Sequence, residues 1–404
     1  MSRIFNVIYK TFSFPSFPTP AFSTIRDWLL KLGLFNLGKP CAPGEWVWIV
    51  DFSIQMGAMR CLLILGVRME VLRARDNFTL SHSDVNPILL KTLNSCPGEV
   101  VKEALYEAKA KTGGAVAIVS DQGGELKRGI RLFQEEQTEK PIHLYDIMHK
   151  IDLVLKKELE NDNEWQKFIK EMTNTTQQLK QSNYSHLIPP KQYQKKRRMR
   201  SEVDIIEWGI KILKYLDSEK SNKLENEKLS WVINYRHQLL IYQEMAYFFD
   251  ISIKEVKEHG YCQKTLMILK EKKKLASYNE RSLCFFSKIL EAIEQEAKKV
   301  TQGSLLGCSE VIESVFGKFK HLEKQHSSSG LTSLVLGLPA LLGEISIDTI
   351  KNAMEKISIG KVKEWIKTNL GETFWSRRRS ELKEDTSIKD DYLELDDFYS
   401  EIAS

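Results

Sequence analysis

Apolar runs and amphipathic stretches alternate along the first 160 residues. Residues 46–52, 61–67 and 69–75 are rich in aliphatic and aromatic side chains and predict three successive strands joined by short turns. The following elements alternate between helix and strand, with predicted bounds of 97–111, 115–120, 124–134, 141–145 and 146–160. This order, β-β-β-α-β-α-β-α, predicts a mixed sheet with helices available for both of its faces.

Residues 161–300 have a different pattern, which is highly charged and helical in periodicity. Four long helices are predicted in this region, at residues 202–215, 230–249, 253–272 and 281–298. No stretch alternates like a strand for long, and no internal repeat has a fixed period. The region therefore predicts an all-helical insertion between the sheet and a further amphipathic helix near residue 313.

The N-terminal segment combines an irregular start with one helix. Pro15, Pro18 and Pro20 interrupt any helix before residue 22. Helical spacing begins at Ser23, which can cap the helix, and Gly33 is the predicted end. A start rich in Ser and Thr is typical of the DNA-contacting helix of a helix-turn-helix, and a surface helix packed on the core explains the pattern equally well. A partner helix is poorly represented upstream.

Charge is unevenly distributed in this chain of 404 residues, whose net charge is only +5. Residues 191–200 form a basic run that suits a track along a DNA backbone, although a solvated linker would have the same composition. The cations assigned to DNA binding are Lys195, Lys196, Arg197, Arg198 and Arg200.

Cysteine usage and hydropathy bound the compartment. Six cysteines are scattered without a Cys-x2-Cys pair, so neither a zinc finger nor a disulfide framework is supported. The apolar stretch at 331–342 is too short to span a bilayer, and the N-terminus lacks a signal-peptide layout. The sequence predicts a soluble chain that is not exported.

Two acidic residues follow apolar runs at predicted strand ends. Asp51 comes directly after residues 46–50, and Asp121 follows residues 115–120 and precedes Gly123 by two positions. A carboxylate at such a place is costly to bury unless it pairs with a cation or binds a metal. An exposed turn residue is the simpler alternative for each of them.

A third acid lies on the amphipathic helix predicted over 309–320. Glu313 and Lys320 are nearly two turns apart on one polar stripe, flanking the small Gly317. Glu310 lies on the same stripe and competes with Glu313 for a ligand role, and a solvated face of salt bridges is the alternative for the whole stripe. Two carboxylates at strand ends and one on a helix can converge on a pair of divalent metals that drive phosphodiester chemistry.

The order of these residues resembles a DDE transposase of the insertion-sequence type. The resemblance covers residues 23–345 and rests on Asp51, on Asp121 with the Gln-Gly-Gly that follows it, and on Glu313 with Lys320 after six intervening residues. The spacing matches the Glu-x6-Lys half of a signature found in such transposases, whereas its upstream Tyr-x2-Arg half is absent here. The implied fold class is α/β, an RNase H-like mixed sheet flanked by helices and interrupted by a large all-helical insertion.

The resemblance also implies a division of the chain into five parts. These are an N-terminal segment with a helix-turn-helix remnant, the first part of the catalytic domain, the helical insertion, the catalytic helix with the end of the domain, and C-terminal helices with an acidic tail. Their bounds are 1–40, 45–160, 161–300, 301–345 and 346–404.

A short element at the end of the fifth predicted strand adds to the resemblance. Asp146 and His149 are similar to an Asp-x2-His element of several transposase groups and fall on one helical turn. His149 is assigned a supporting role, either contacting a phosphate or assisting a catalytic acid. The alternative is that Asp146 caps the helix and His149 has an ordinary partner.

The resemblance implies metal-dependent cleavage and strand transfer of mobile-element DNA ends. Asp51, Asp121 and Glu313 would be the catalytic and metal-binding residues, with two Mg²⁺ ions about 3.5–4 Å apart that Asp51 bridges and that Mn²⁺ can replace. The implied partners are double-stranded DNA and further copies of the chain, without a membrane, in the cytoplasm with the nucleoid. Two alternatives stay open: an RNase H-like nuclease without strand transfer, and an inactive transposase-derived DNA-binding protein.

Overall fold

The predicted α/β class is confirmed by a five-stranded mixed sheet surrounded by helices. A computed structural model describes residues 20–370 except 57–58, 94, 122, 181, 183, 191–199, 219–227, 275–276 and 325–331. The strands are β1 (Trp46–Met56), β2 (Met59–Arg68), β3 (Asn86–Leu93), β4 (Ala117–Ser120) and β5 (Ile142–Tyr145).

Helices precede, interrupt and follow the strands. Those of the N-terminal part are α1 (Phe22–Leu37), α2 (Met69–Arg73), α3 (Gly98–Thr112), α4 (Gly124–Glu135) and α5 (Ile147–Glu160). Those between the sheet and residue 300 are α6 (Asn163–Leu179), α7 (Ser201–Leu216), α8 (Arg236–His259), α9 (Gln263–Lys274) and α10 (Glu280–Ala297). The last are α11 (Glu310–Lys324), α12 (Gly337–Ala340), α13 (Ile347–Lys356) and α14 (Ile359–Leu370).

The strand order in the sheet is β3-β2-β1-β4-β5. β1 pairs with β2 and β2 with β3 in antiparallel fashion, whereas β4 runs parallel to both β1 and β5. β1 is therefore the central strand, and the carboxyl end of β4 at Ser120 lies beside Val50 in the middle of β1. This arrangement decides where the residues that follow these strands meet.

The predicted strand at residues 69–75 is wrong. Met69–Arg73 is the short helix α2, because Met69 and Leu72 are buried at a helical spacing while Glu70 and Arg73 face outward. The third strand is instead Asn86–Leu93, which the apolar pattern did not predict. Pro87 lies near its start, which is tolerated because β3 is an edge strand.

The helical character of residues 163–297 is as predicted, but one boundary is wrong. A helix end was expected after residue 249, yet α8 continues to His259. Its middle is held by packing, since Phe249, Ile251 and Ile253 are all buried. Because these residues pack in the core, the chain after residue 249 stays helical and is not an exposed polar loop.

Alternation along β1 supplies two separate cores. Trp46, Trp48 and Val50 face α3 and α4, whereas Val47 and Ile49 face the core that α5 and α11 help to form. We call the second side the α11 face. Asp51 continues the alternation of Val47 and Ile49 and belongs to the α11 face.

The first helix extends beyond its predicted end. Gly33 does not terminate α1, which runs to Leu37, and Ser23 does not cap it, because the cap position is Ala21. The helix packs against α12 and α13, and the amide of Asn36 donates to the carbonyls of Pro339 and Leu342. These contacts agree with a helix packed on the core, the alternative to a helix that contacts DNA.

Two findings bear on the expected compartment. All six cysteines are free thiols. In the described parts of the chain, no helix is both long and apolar enough to cross a membrane.

Candidate functional site

Asp51, in the middle of β1, and Asp121, just after β4, lie side by side at the edge where β4 ends. The prediction that Asp51 lies at a strand end is wrong, because β1 pairs with β2 at Asp51 and continues to Met56. Val50 of β1 is in register with Ser120 of β4 in the parallel pair, and each acid follows its strand residue by one position. Asp121 continues the alternation of Val119, which belongs to the same core as Ile49. Both carboxylates are therefore carried toward the α11 face. The predicted proximity of these two acids is thus supported by the sheet register.

Glu313 approaches from above this edge. It lies in the first turn of α11, a helix that packs against β1 through its apolar side. Ile312, Val315 and Phe316 are buried in the core of the α11 face, whereas Glu313 stays partly exposed. The burial of its neighbours on the helix thus fixes Glu313 over β1, near Asp51.

His149 contacts Glu313. Its Nε2 atom lies 3.5 Å from Oε1 of Glu313, and both side chains are partly exposed. His149 occupies the first turn of α5, which starts where β5 ends. Among its two predicted roles, assistance to a catalytic acid matches this contact.

Asp146 caps α5 and also holds the segment before α11. Its Oδ1 accepts a hydrogen bond of 3.0 Å from the backbone N–H of His149. Its Oδ2 accepts from the backbone N–H of Ser309 and, at 2.8 Å, from the Ser309 hydroxyl. Asp146 is completely buried, so both of its oxygens are used within the protein. It ties the start of α5 to the start of α11.

The groups of possible metal ligands differ from the predicted one. Ligand atoms of Asp146, His149 and Glu313 all lie within 4.8 Å of one another, as do those of Glu255, Glu258 and His259. Asp51 and Asp121 belong to neither group among the described residues. Asp146 is bonded to the backbone N–H of His149 and to Ser309, and His149 is bonded to Glu313, so the first group is held together by its own hydrogen bonds.

Electrostatic coupling nevertheless joins the three predicted acids. Burial and the neighbouring charge of Asp121 raise the pKa of Asp51 to about 8, and Glu313 adds to the rise. His149 and the backbone N–H of Phe52 oppose this effect only in part. The raised pKa of Asp51 thus reflects its burial and the negative charges of the neighbouring acids.

His149 responds to the same negative charges. Burial, the largest single effect, lowers the pKa of its imidazole, and the hydrogen bond to Glu313 opposes it without reversing the shift alone. With the charges of Asp146 and Asp121, this hydrogen bond raises the pKa of His149 to about 9. At neutral pH the imidazole is therefore a cation that partly neutralises the acids.

The remaining residues of the α11 stripe take different positions. Glu310, the competitor of Glu313, forms an ion pair of 2.5 Å with Lys257 of α8. Lys320 is exposed, and in the described chain it is not among the partners of Asp51, Asp121 or Glu313. The geometry thus separates Glu313 from Glu310, and it leaves the phosphate role of Lys320 as a prediction.

Four of the five cations expected to bind DNA, Lys195, Lys196, Arg197 and Arg198, lie outside the described residues. The fifth, Arg200, does not present a free guanidinium. It has a left-handed backbone with φ of 68°, and its side chain binds Asp204, Glu207 and Asp250. Arg200 is therefore a structural junction of α7 and α8, since three carboxylates compete with any phosphate.

The structure adds two residues that the sequence did not single out. His143 of β5 has its Nε2 atom 2.9 Å from the hydroxyl of Ser120, and that hydroxyl donates to the carbonyl of Asp121. Burial, with the charges of Lys299 and Lys127, lowers the pKa of His143 to about 4, so it is neutral. The sequence feature that could have identified Ser120 and His143 is a polar side chain within a short apolar strand.

Comparison with known proteins does not identify a family for this chain. No protein-family model matches the chain, and no curated protein matches it. Among solved structures, a Drosophila P element transposase strand transfer complex is similar with a TM-score of 0.39 and 14% identity. The match covers 84% of this chain and 87% of that chain. At this TM-score the likeness carries no argument about fold or activity.

Proposed function

We propose that the protein is a DNA transposase of the DDE type, which cleaves and joins DNA ends in a metal-dependent reaction. One observation carries the proposal. Asp51 of β1 and Asp121 just after the parallel strand β4 lie on one face, Glu313 lies over that face, and burial with the charges of Asp121 and Glu313 raises the pKa of Asp51 to about 8. Several carboxyl groups held close together form a site suited to a divalent cation.

The residues fit hard cations such as Mg²⁺ or Mn²⁺. Carboxylate oxygens are the ligands these ions prefer, and Asp51, Asp121 and Glu313 would hold two of them. Bound there, the ions would supply activation of water or of a DNA 3′-hydroxyl, and stabilisation of the leaving oxygen. The raised pKa of Asp51, which reflects burial beside the charges of Asp121 and Glu313, supports this assignment independently of the resemblance.

The chain's own groups hold this site in place. His149, as a cation bonded to Glu313, orients that carboxylate. Asp146 fixes the start of α11 through Ser309, and His143 fixes the peptide of Asp121 through Ser120. Glu313 and Asp121 therefore have positioning partners on neighbouring elements, and Asp51 is held within β1 by its pairing with β2, as a site for phosphoryl transfer requires.

The proposal includes an RNase H-like catalytic domain, interrupted by an all-helical insertion. The strand order and the mixed pairing of the sheet support the first part, and the run of helices from α6 to α10 between the sheet and α11 supports the second. The catalytic domain would comprise residues 45–160 and 301–345, with the insertion at 161–300. Its partners would be double-stranded DNA and further copies of the chain.

The decisive test compares Glu313→Gln with Glu355→Gln, a control on the exposed side of α13. The purified chain is incubated with Mg²⁺ or Mn²⁺ and a plasmid that carries the DNA flanking its gene. Glu313→Gln should lower strand cleavage and strand joining by orders of magnitude, because a neutral amide binds a divalent cation poorly. DNA affinity should not change, and Glu355→Gln should behave like the wild type.

Three outcomes would assign another function. Cleavage without joining indicates a nuclease of the same chemistry. DNA binding without cleavage indicates an inactive DNA-binding protein. Equal activity of the wild type and Glu313→Gln removes the acids from the reaction and contradicts the proposal.

A further inference from the structure

A cavity of about 680 Å³ lies beside Glu313, on the neighbouring side of α11. The segment 79–83 forms one wall, α11 forms the second, and residues 341–345 form the third. Val311, Leu341 and Ile345 give the cavity apolar surface, while hydroxyl groups and Lys318 provide its polar part. None of these groups is used in the proposed chemistry.

His82 organises the polar wall of this cavity. Lys318 Nζ donates to His82 Nδ1 at 3.1 Å, so the proton of the neutral ring must reside on Nε2. That nitrogen lies 3.2 Å from Ser314 Oγ and donates to it. The hydroxyl proton of Ser314 therefore remains available to an acceptor in the cavity, as do two protons of the Lys318 ammonium.

The charges around the cavity leave Lys318 uncompensated. Glu310 is neutralised by Lys257 at 2.5 Å, and Asp84 is bonded to Arg75 and to Ser81. Among the described residues, Lys318 is bonded only to the neutral His82. A cation and free hydroxyl donors next to an apolar floor suit an anionic group attached to an organic chain.

The cavity has the right position for a DNA strand that passes the acids. Lys318 follows Glu313 by five residues, so it lies about 7.5 Å further along the helix axis. For a duplex that runs along α11, whose successive phosphates on one strand are about 3.4 Å apart along the axis, the bound phosphate would be about two nucleotides from the acids. Gly317 lies between them, and a Cβ added there would meet nothing within 4 Å, so a backbone can pass close to α11.

We propose that Ser314 and Lys318, oriented by His82, form a phosphate-binding subsite for the DNA strand that leaves the acidic site. The inference rests on the proposed function for its choice of ligand. It deepens that function by naming a contact about two nucleotides from the cut, separate from the one predicted for Lys320. Ser314 and Lys318 bind the phosphate, and His82 is a positioning residue.

The test measures DNA binding by the full chain, without any cleavage step. Binding of a fluorescent DNA duplex is recorded over a series of salt concentrations for the wild type, Lys318→Ala and Lys351→Ala. Loss of one phosphate contact should reduce the salt slope by about 0.9 and weaken binding about eightfold at about 0.1 M salt. Lys351, an exposed lysine of α13 outside the cavity, is the matched control and should leave the slope unchanged.

Two further arms separate the alternatives. Ser314→Ala should weaken binding less than Lys318→Ala and keep the salt slope, because it removes a neutral donor. Inorganic phosphate titrated against the chain identifies a free-anion site if Lys318→Ala abolishes its binding and leaves DNA binding intact, which overturns the assignment to DNA.

The two proposals fail in different measurements. Equal salt slopes for Lys318→Ala and Lys351→Ala overturn the subsite, whatever the cleavage assay gives. An inactive wild type whose slope falls in Lys318→Ala supports the subsite and contradicts only the chemistry. A chain that binds no DNA overturns both.

Discussion

The carboxyl group of Asp51 has opposite preferences in the free and cation-bound protein. Without a cation, burial and the charges of Asp121 and Glu313 favour its protonated form and raise its pKa from 3.8 to about 8. A divalent cation reverses this preference, because it attracts the carboxylates that otherwise repel one another. Cation binding near neutral pH should therefore release a proton from Asp51.

The first prediction concerns Asp51→Asn in metal-free protein. The folded-state pKa of Asp51 lies above its unfolded value, so its contribution to stability is full below about pH 4 and is lost as the pH rises toward 8. The melting temperature of the wild type should fall over this range relative to Asp51→Asn. Added Mg²⁺ should stabilise the wild type and have much less effect on the variant.

Differential scanning fluorimetry between pH 4 and pH 9 measures this difference. Other titrating groups are common to both proteins and cancel to first order. Parallel pH profiles of the melting temperature for wild type and variant would show that folding does not raise the pKa of Asp51.

Residues with local signals were predictable from the sequence, and their partners were not. Asp121 follows an apolar run that ends in the chain itself, so its position after a strand required no tertiary information, whereas the continuation of β1 beyond Asp51 depends on pairing with β2. Ser309 and His143 meet Asp146 and Ser120 only because the sheet register and the path before α11 bring them together. Contacts of this kind depend on distant parts of the chain.

Among the elements, α1 shows how a single missing side chain fixes a packing distance. Gly33 lies at the crossing of α1 with the residues before α12, and an added Cβ would be 1.8 Å from the carbonyl oxygen of Leu336. The sequence suggested that Gly33 ends the helix, which is its commonest role. Its actual role is close approach, which only the partner segment reveals.

The second prediction is that Gly33→Ala lowers the free energy of unfolding. The Cβ clashes with rigid backbone rather than with a flexible side chain, so a loss of about 1–3 kcal/mol is expected. Gly317→Ala on α11 is the control, because its Cβ would meet nothing within 4 Å and alanine favours the helix. Urea unfolding followed by circular dichroism compares the two, and equal midpoints would contradict the packing argument.

The helices α6–α10 and the sheet share one buried ionic junction. Glu296 of α10 is almost completely buried and accepts hydrogen bonds from Lys150 at 2.5 Å, from Lys299 at 2.6 Å and from the backbone N–H of Tyr145 at 3.2 Å. Lys150 belongs to α5 and Tyr145 ends β5, so the contact joins the helical region to the strand before the Asp146 turn. Charged helical periodicity predicted the helices but gave no sign of this junction.

At the scale of the molecule, Glu296→Ala should destabilise the chain by about 3–5 kcal/mol, since it leaves the buried Lys150 ammonium without its partner. Lys288→Ala breaks an exposed pair with Glu158 and should cost less than about 1 kcal/mol. Urea midpoints measure both. A loss for Glu296→Ala no larger than that for Lys288→Ala would show that the junction does not stabilise the assembly of the helical region on the sheet.

The distribution of the acids along the chain has a consequence for biosynthesis. Asp51 and Asp121 lie on strands made early, whereas α11 follows all of α6–α10 in the sequence. Because domains emerge from the ribosome N-terminal part first, the nascent sheet carries two acids without Glu313 until α11 has been translated. Pairing of such distant segments is also slow. An unfinished chain thus lacks Glu313, so the proposed cleavage would begin only after α11 has been made.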